Sequence, residues 1–409
     1  MVILMDKFEV LKKYWGYDTF RYPQAEVIDS ILSRKDTVAL AATSTGKTVM
    51  FQIPALILDG VTIVVSPLKS LQKDQVDRCT SLGIPVALVN SDTGIRARKK
   101  IKLALEDKTL KILYVSPETL LADSFKDIRD LLTNVPLFAV DEAHCASSWS
   151  DFRPKYRLLM QAREEYFPDA TVLAVTATAD DQILEDIKKF IGINTDHNLF
   201  KTSFDRPSIE YKIVKTHDKS SIRDIVRLLN TTHKGEAGII YCNTQKKTVE
   251  LAAALNMLGF KANHFHSKIK KSEKDKIQEE FLSGTVNIIC ATTAFGMGID
   301  KCDVRWVIHE DPPTSFDDYS QQVGRASRDG APSIAYMFYK EASYNSAQWL
   351  LRKTTLDPQR FMIKLNKLKQ FHDFCKNDTK CRRKELLAYF GEVYPKKNCG
   401  SCDVCKDNM

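Results

Sequence analysis

The stretch Asp36 to Leu58 constrains the architecture of this chain more than any other. Asp36 to Leu40 reads as a short strand and Val49 to Leu58 as the start of a helix. Between them lies the small-residue loop Ala41-Ala42-Thr43-Ser44-Thr45-Gly46-Lys47-Thr48. Strand, small-residue loop and helix in immediate succession form the context of a Walker-type phosphate cradle, in which loop and helix N-terminal N–H groups face an anion. In such a cradle Ser44, Thr45 and Gly46 wrap the phosphates, Lys47 reaches the β and γ oxygens of ATP, and the Thr48 hydroxyl ligates Mg2+. The loop opens on Ala41 rather than glycine, and Ser44 and Thr45 also stand where glycine is common. A plain strand-to-helix loop with a solvated lysine is the bland alternative, and a carboxylate partner downstream separates the two.

That partner is Asp141-Glu142. Leu137 to Val140 is a short apolar run, so both carboxylates fall at the carboxyl end of a buried strand, where open α/β sheets place their ligand crevice. Asp141 is expected to hold Mg2+, directly or through a water, and Glu142 to orient and deprotonate the water that attacks a γ-phosphate. An acidic pair after a strand is by itself often only a helix N-terminus favoured by the macrodipole. Together with the Lys47 loop it points to nucleotide hydrolysis.

The remaining pattern is one of alternation. Strand-like runs at Val61 to Ser66, Val86 to Val89, Ile112 to Ser116, Phe138 to Asp141 and Val172 to Thr176 are separated by helical or polar segments, the signature of a parallel sheet. A second series follows Asp205-Arg206-Pro207: Gly238 to Cys242, Ala262 to His266, Asn287 to Ala291, Val304 to Glu310 and Ser333 to Phe338, with helix patterns at Lys246 to Leu258 and Glu273 to Leu282. The expected fold class is α/β: two parallel-sheet domains in tandem, residues 1–205 and 206–342, RecA-like by the family resemblance given below, then a small, mainly helical, basic zinc-binding domain over 343–409. Hydrolysis at a cleft between two such halves would drive closure. In the second half, Arg325 and Arg328 stand three apart, so on a helix both guanidinium groups leave one face and could meet a γ-phosphate as arginine fingers. A helical arginine pair is otherwise an ordinary surface feature.

Bulk properties fit an intracellular enzyme. Val2 to Met5 is too short for a signal h-region, and no run approaches the ~18 apolar residues of a membrane span. The expected location is cytoplasmic in a prokaryote or nuclear in a eukaryote. The net charge is +8, and from Arg352 onward 14 Lys/Arg stand against 7 Asp/Glu. A polyanion partner is expected there, with a solvated basic helix as the alternative. Ten cysteines in a chain of this kind argue against a disulfide framework. Cys381, Cys399, Cys402 and Cys405 give C-x17-C-x2-C-x2-C, spacing for a closed tetrahedral, structural Zn2+ site, with Cys375 as a competing fourth ligand. Cys79, Cys145, Cys242, Cys290 and Cys302 are expected to be ordinary core thiols.

Across nearly its whole length the chain resembles the RecQ-type DNA helicases of superfamily 2. The resemblance is carried by Phe20-Arg21-Tyr22-Pro23-Gln24, Val65-Ser66-Pro67-Leu68-Lys69-Ser70-Leu71, Tyr114-Val115-Ser116-Pro117-Glu118, Asp141-Glu142-Ala143-His144, Val175-Thr176-Ala177-Thr178-Ala179, Ala294-Phe295-Gly296-Met297-Gly298-Ile299-Asp300 and Gln321-Gln322-Val323-Gly324-Arg325-Ala326-Ser327-Arg328, in the family's order. It implies that Gln24 hydrogen-bonds adenine with Tyr17 and Arg21 flanking it, that Asp300 lies near the ribose and that Gln322 belongs to the nucleotide site. It implies further that Ser66, Lys69, Ser70, Thr176 and Thr178, with Asn243, Thr244, Thr292 and Thr293, track a single strand or couple it to the cleft. Hydroxyls and amides suit that task because phosphate and sugar contacts grip without reading sequence. Cys381 opens the run that resembles the family's zinc segment.

The resemblance implies an ATP-dependent helicase moving 3′ to 5′ on single-stranded DNA and unwinding partially duplex DNA, with ATP, Mg2+ and Zn2+ bound. Two departures stand out. Only Ser150 separates Trp149 from Asp151, where the family usually has a glycine and a histidine, so a proposed coupling histidine has no carrier. Trp149, Phe152 and Arg153 still match and could stack on bases or grip phosphate. The sequence also ends four residues after Cys405, before the winged-helix and small helical domains that many members carry. A nucleic-acid-binding module with a weak or uncoupled ATPase, and an RNA-directed superfamily 2 helicase, are the competing readings.

Overall fold

The structure, a computed structural model, describes residues 5–42, 45–147, 154–177, 181–215, 222–295 and 301–407. It divides into two compact units, Met1–Ser203 and Phe204–Met409. The first holds β1 (Thr37–Leu40), β2 (Thr62–Val65), β3 (Val86–Val89), β4 (Ile112–Val115), β5 (Leu137–Val140), β6 (Thr171–Thr176) and β7 (Asn198–Lys201). Among the described residues these form one sheet in the order β3-β4-β2-β5-β6-β1-β7. Every pairing in it is parallel.

Helices cover both faces of this sheet, which is why its inner strands run apolar without alternation, save for threonines at their ends. All residues of β1, β2, β4, β5 and β6 are buried. Their side chains divide by the period of two into two cores. Val38, Leu40, Ile63, Val65, Phe138, Val140, Val172 and Ala174 face one way, and Ala39, Val64, Leu137, Ala139, Leu173 and Val175 the other. Because the strands are parallel and Leu40 lies opposite Thr176, and Val140 opposite both Ala174 and Val65, their carboxyl ends form one edge. The loops after β1, β2, β5 and β6 all leave from that edge.

The second unit repeats the plan with β8 (Ile209–Lys215), β9 (Ala237–Tyr241), β10 (Ala262–Phe265), β11 (Ile288–Ala291), β12 (Val304–His309) and β13 (Ser333–Tyr339), in the order β10-β11-β9-β12-β13-β8. The eleven runs expected as strands, Asp36 to Leu40 among them, all appear. β7 and β8 do not belong to that expectation. Both lie at a sheet edge and alternate in burial, so neither presents a continuous apolar run.

The carboxyl-terminal segment falls within the second unit and shares its core. Helices Glu341–Thr354 and Pro358–Lys376 pack on each other, and Phe371, Phe374, Cys381, Cys402 and Cys405 join Tyr211, Val307 and Tyr319 in one apolar cluster. Among the described residues no helix is long and apolar enough to cross a membrane.

One glycine in this unit is fixed by packing. Gly238 in β9 faces Trp306 of β12, and a Cβ added at Gly238 would fall inside the fully buried indole ring. Overpacking of a close-packed core costs about 1 to 3 kcal/mol. Gly238→Ala is therefore expected to lower the urea midpoint of the second unit. Far-UV circular dichroism through the transition checks this.

Candidate functional site

The loop after β1 is held from below by a glutamine. The Gln24 Nε2 group donates to the carbonyls of Thr45 (2.8 Å) and Gly46 (3.3 Å), while its Oε1 accepts from the Arg21 N–H at 3.0 Å. Gly46 has φ +72°, and a Cβ there would stand 2.7 Å from Gln24 Nε2. The backbone sign thus favours glycine, and a Cβ there would push the Gln24 amide out of its place. Thr45 Oγ1 closes the loop on the Ala42 carbonyl (2.8 Å), and Lys47 Nζ lies back on the Ala41 carbonyl at 3.3 Å. Thr48 precedes helix Val49–Ile57 with no capping bond from its side chain. Tyr17 and Arg21 are exposed.

Asp141 follows β5 and is 3 % exposed. Its Oδ1 accepts from the Glu142 N–H (2.9 Å), its Oδ2 from Gln75 Nε2 (2.9 Å), and its carbonyl from the Tyr156 hydroxyl (3.1 Å). Burial pushes the Asp141 carboxyl up to about 6; the charge of Glu142 adds to this, while the Gln75 hydrogen bond and the charge of Lys47 oppose it. Glu142 adopts left-handed backbone, φ 49°, uncommon outside glycine and concentrated at functional positions. His144 Nδ1 lies 2.8 Å from Thr176 Oγ1 and 3.3 Å from Glu142 Oε2. Thr176 thereby ties the end of β6 to the acidic box.

A divalent metal fits this edge. One buried oxygen there, Gln75 Oε1, has no hydrogen-bond partner among the described residues, and Glu142 Oε2 faces the His144 ring at 3.3 Å. Hard oxygen donors with unspent lone pairs suit Mg2+ and its waters.

The positions expected to contact a strand divide by burial. Lys69 and Ser70 are exposed at the start of helix Lys69–Ser81, whereas Ser66 and Thr176 are fully buried. In the second unit Asn243, Thr244 and Thr293 are exposed and Thr292 is half-buried. The Thr244 hydroxyl also caps helix Gln245–Met257 by accepting from the Lys247 N–H (3.2 Å). Asn243 is held through its N–H by Asp311 Oδ2 at 3.1 Å. Ser44, Trp149, Phe152, Arg153, Thr178 and Asp300 lie outside the described residues, as do Gly296 and Gly298.

The arginine pair departs from expectation. Helix Phe316–Val323 ends at Gly324, before Arg325 and Arg328, so they do not share a helical face. The Arg206 guanidinium explains the stop, donating to the carbonyls of Gly324 (3.4 Å), Ala326 (2.9 Å) and Ser327 (3.0 Å). Those carbonyls would otherwise seek a further helical turn. Ser327 then turns left-handed, φ 56°. Gln322 is buried, its Oε1 2.9 Å from His309 Nε2, and burial pushes the His309 ring down to about 4.

In the tail, one sulfur each from Cys381, Cys399, Cys402 and Cys405 gathers within 4.8 Å of the others. A tetrahedron with arms of about 2.3 Å has edges of about 3.8 Å, and Cys399 Sγ lies 3.9 Å from Cys405 Sγ. Four thiolates of this geometry fit zinc. Cys375 is buried among aromatic side chains and is not in the cluster. Cys302, expected in the core, is exposed, because it belongs to the turn entering β12 rather than to the strand.

Two buried arginines beside Cys381 stitch this centre to β8. Arg382 donates from Nε to Asp403 Oδ1 (3.0 Å) and from Nη1 to the Phe374 carbonyl (2.6 Å). Arg383 pairs with Asp205 and donates to the carbonyls of Arg206 (2.8 Å) and Ile209 (2.7 Å). Asp403 Oδ2 in turn accepts from the Ile213 N–H of β8 at 3.0 Å.

Sequence reasoning passed over Gln75 and Tyr156. Gln75 had a signal: Gln72 and Gln75 are three apart on the inward face of a helix, where apolar residues are the norm.

The Asp141 carboxyl yields a stability test. A carboxyl whose folded pKa is raised favours the fold while protonated, and this contribution is lost as pH rises from its unfolded value near 4 through about 6. Asp141→Asn is therefore expected to raise the melting temperature of the metal-free protein at pH 7.5, with the difference vanishing near pH 4. Calorimetry at the two pH values decides.

Comparison with known proteins gives three family models in tandem: DEAD/DEAH box helicase over residues 21–187, helicase conserved C-terminal domain over 220–330 and RecQ zinc-binding over 343–406. The chain is 40% identical over 400 residues to the ATP-dependent DNA helicase RecQ of Pasteurella multocida, covering 98% of this chain and 62% of that one. It is 37% identical to a putative ATP-dependent RNA helicase of Acanthamoeba polyphaga mimivirus, covering 97% and 71%. The helicase MrfA, solved bound to DNA, shares the fold with a TM-score of 0.70 at 17% identity, over 83% of this chain and 52% of that one. The chain thus spans about six-tenths of the length of the RecQ relative above, 62%. On its three tandem matches and whole-length identity, the chain belongs to the RecQ-type helicase family.

Proposed function

We propose that this chain is an ATP-driven DNA helicase, coupling ATP hydrolysis to 3′ to 5′ movement along single-stranded DNA and to separation of duplex ahead of it. The observation that carries this reading is the convergence, on one sheet edge, of the Gln24-clamped Lys47 loop with the buried Asp141 and its neighbour Glu142. Relatives named ATP-dependent DNA helicase support the choice of nucleic acid.

The residues take the following roles. Lys47 leaves the Ala41 carbonyl for the β and γ oxygens, and the N–H groups around Gly46 cradle the phosphates. Thr48 and Asp141 would hold Mg2+, which would supply positive charge to offset that of the phosphates. Glu142 orients the attacking water and accepts its proton, kept in place by its left-handed backbone and by His144. Tyr17, Arg21 and Gln24 receive the adenine, with Asp300 near the ribose and Gln322 supporting the site. Arg325 and Arg328 supply positive charge to the transition state.

Lys69 and Ser70, with Asn243, Thr244, Thr292 and Thr293, grip the strand backbone; Trp149, Phe152 and Arg153 stack on it or grip phosphate, and the buried Ser66 and Thr176, with Thr178, relay its presence. The four-thiolate centre holds structural zinc, which completes a segment with little core of its own. The likeness to a relative named an RNA helicase keeps an RNA substrate as the second reading.

ATP turnover with and without single-stranded DNA tests the motor directly. A rise with DNA is expected, and an unchanged rate would reject it. Single-stranded RNA in parallel separates the two substrates, and a duplex with a 3′ tail against one with a 5′ tail reports polarity. Lys47→Ala is expected to abolish turnover, a loss of at least about 100-fold on removing a principal charge contact, while strand binding by anisotropy persists. Retained turnover would mean that the phosphate cradle is misassigned.

A further inference from the structure

Helix Lys69–Ser81 carries two buried glutamines, Gln72 and Gln75, within two turns of its exposed Lys69 and Ser70. Gln72 Nε2 donates to the Ser66 carbonyl at 2.8 Å, and Gln75 Nε2 donates to Asp141 Oδ2 at 2.9 Å. Gln72 is fully buried and Gln75 is 8 % exposed. In both, Oε1 is enclosed with no hydrogen-bond partner among the described residues. Leaving a buried acceptor unmet costs about 1 to 3 kcal/mol, and leucine or methionine would fill the same helix face without it. An enclosed, unspent acceptor beside a buried carboxylate is therefore a receptor for a donor that arrives with a ligand.

We propose that Gln75 is a positioning residue that couples the strand contact at Lys69 and Ser70 to the nucleotide-bound metal at Asp141, with Gln72 anchoring the same helix to the turn after β2. The inference rests on Asp141 being the metal carboxylate. Gln75 fixes the orientation of that carboxylate through Nε2 and offers Oε1 to a water of the metal's hydration shell. Lys69 and Gln75 lie six positions apart on one helix, about 9 Å along its axis, so a rigid displacement of the first turn is felt at Asp141.

The contacts of Lys69 supply a cause for such a displacement. Lys69 Nζ now donates to Ser91 Oγ (2.6 Å) and Asp92 Oδ1 (2.7 Å). A strand phosphate reaching Lys69 competes with these partners, and the helix changes its anchorage at one end while Gln75 holds the other. This route does not use the histidine that the shortened loop after Trp149 lacks.

Coupling between two ligands is reciprocal, so it can be read from binding alone. The affinity of a fluorescent single-stranded oligonucleotide is measured by anisotropy without and with saturating Mg2+ and a non-hydrolysable ATP analogue. In the wild-type chain the two affinities are expected to differ by about fivefold or more. Gln75→Ala and the near-isosteric Gln75→Met should bring that ratio to within about twofold of unity, as expected on loss of a coupling of this size. Thermal unfolding of both variants checks the fold, and if the alanine variant unfolds, the methionine variant decides. A wild-type ratio retained in the folded variant overturns the assignment of Gln75 alone. A ratio of one in the wild-type chain removes the nucleotide-coupled motor itself, and the proposal with it.

Discussion

A single buried carboxylate organises the first unit. Asp141 ends β5 on the edge where the loops after β1, β2 and β6 also emerge, and it is reached from helix Lys69–Ser81 by Gln75, from its own backbone by Glu142 and from beyond the acidic box by Tyr156. Taking a carboxylate out of water is costly unless it is hydrogen-bonded or paired. Here the hydrogen bonds do not fully compensate, and the carboxyl is pushed up to about 6 chiefly by burial. The fold gives up stability at this position, as functional sites commonly do. A cation arriving there recovers part of that cost.

The second unit depends on a different closure. Its edge strand β8 is covered by the cysteine segment: Asp403 receives the Ile213 N–H, and Arg383 satisfies the carbonyls of Arg206 and Ile209. An open sheet edge is otherwise a template for unwanted pairing. Zinc bound by the four cysteines would lock this cover in place, which explains why three of the four are in the same apolar cluster as β8 and β12 rather than in a separate core. Arg206 adds a second function by ending helix Phe316–Val323 and setting the turn that carries Arg325 and Arg328.

Much of this was legible in the residues. The inner strands announced themselves because both faces are buried and their apolar runs are continuous apart from terminal threonines, and the loop from Ala41 to Thr48 because strand, glycine-lysine-threonine and helix occur together only in a few contexts. The edge strands β7 and β8 were hidden by their alternation of buried and exposed positions. The arginine pair was misread as helical because the spacing of three says nothing about a tertiary partner, and Arg206, more than a hundred residues earlier, decides where the helix stops. Spacing alone left Cys375 and Cys381 as rivals. Packing separated them, since Cys375 lies among aromatic rings and Cys381 opens toward the other sulfurs. Gln75 escaped notice because its meaning lies in a partner 66 positions away.

The central claim is that Asp141 is held, at a cost to the fold, as the carboxylate that receives the nucleotide's metal. Calorimetric titration of ADP with and without Mg2+, in the wild-type chain and in Asp141→Asn, tests it most directly. The account predicts that Mg2+ tightens ADP binding in the wild-type chain, and that the substitution removes this increment while leaving metal-free affinity in place. An increment of the same size in both proteins would contradict it.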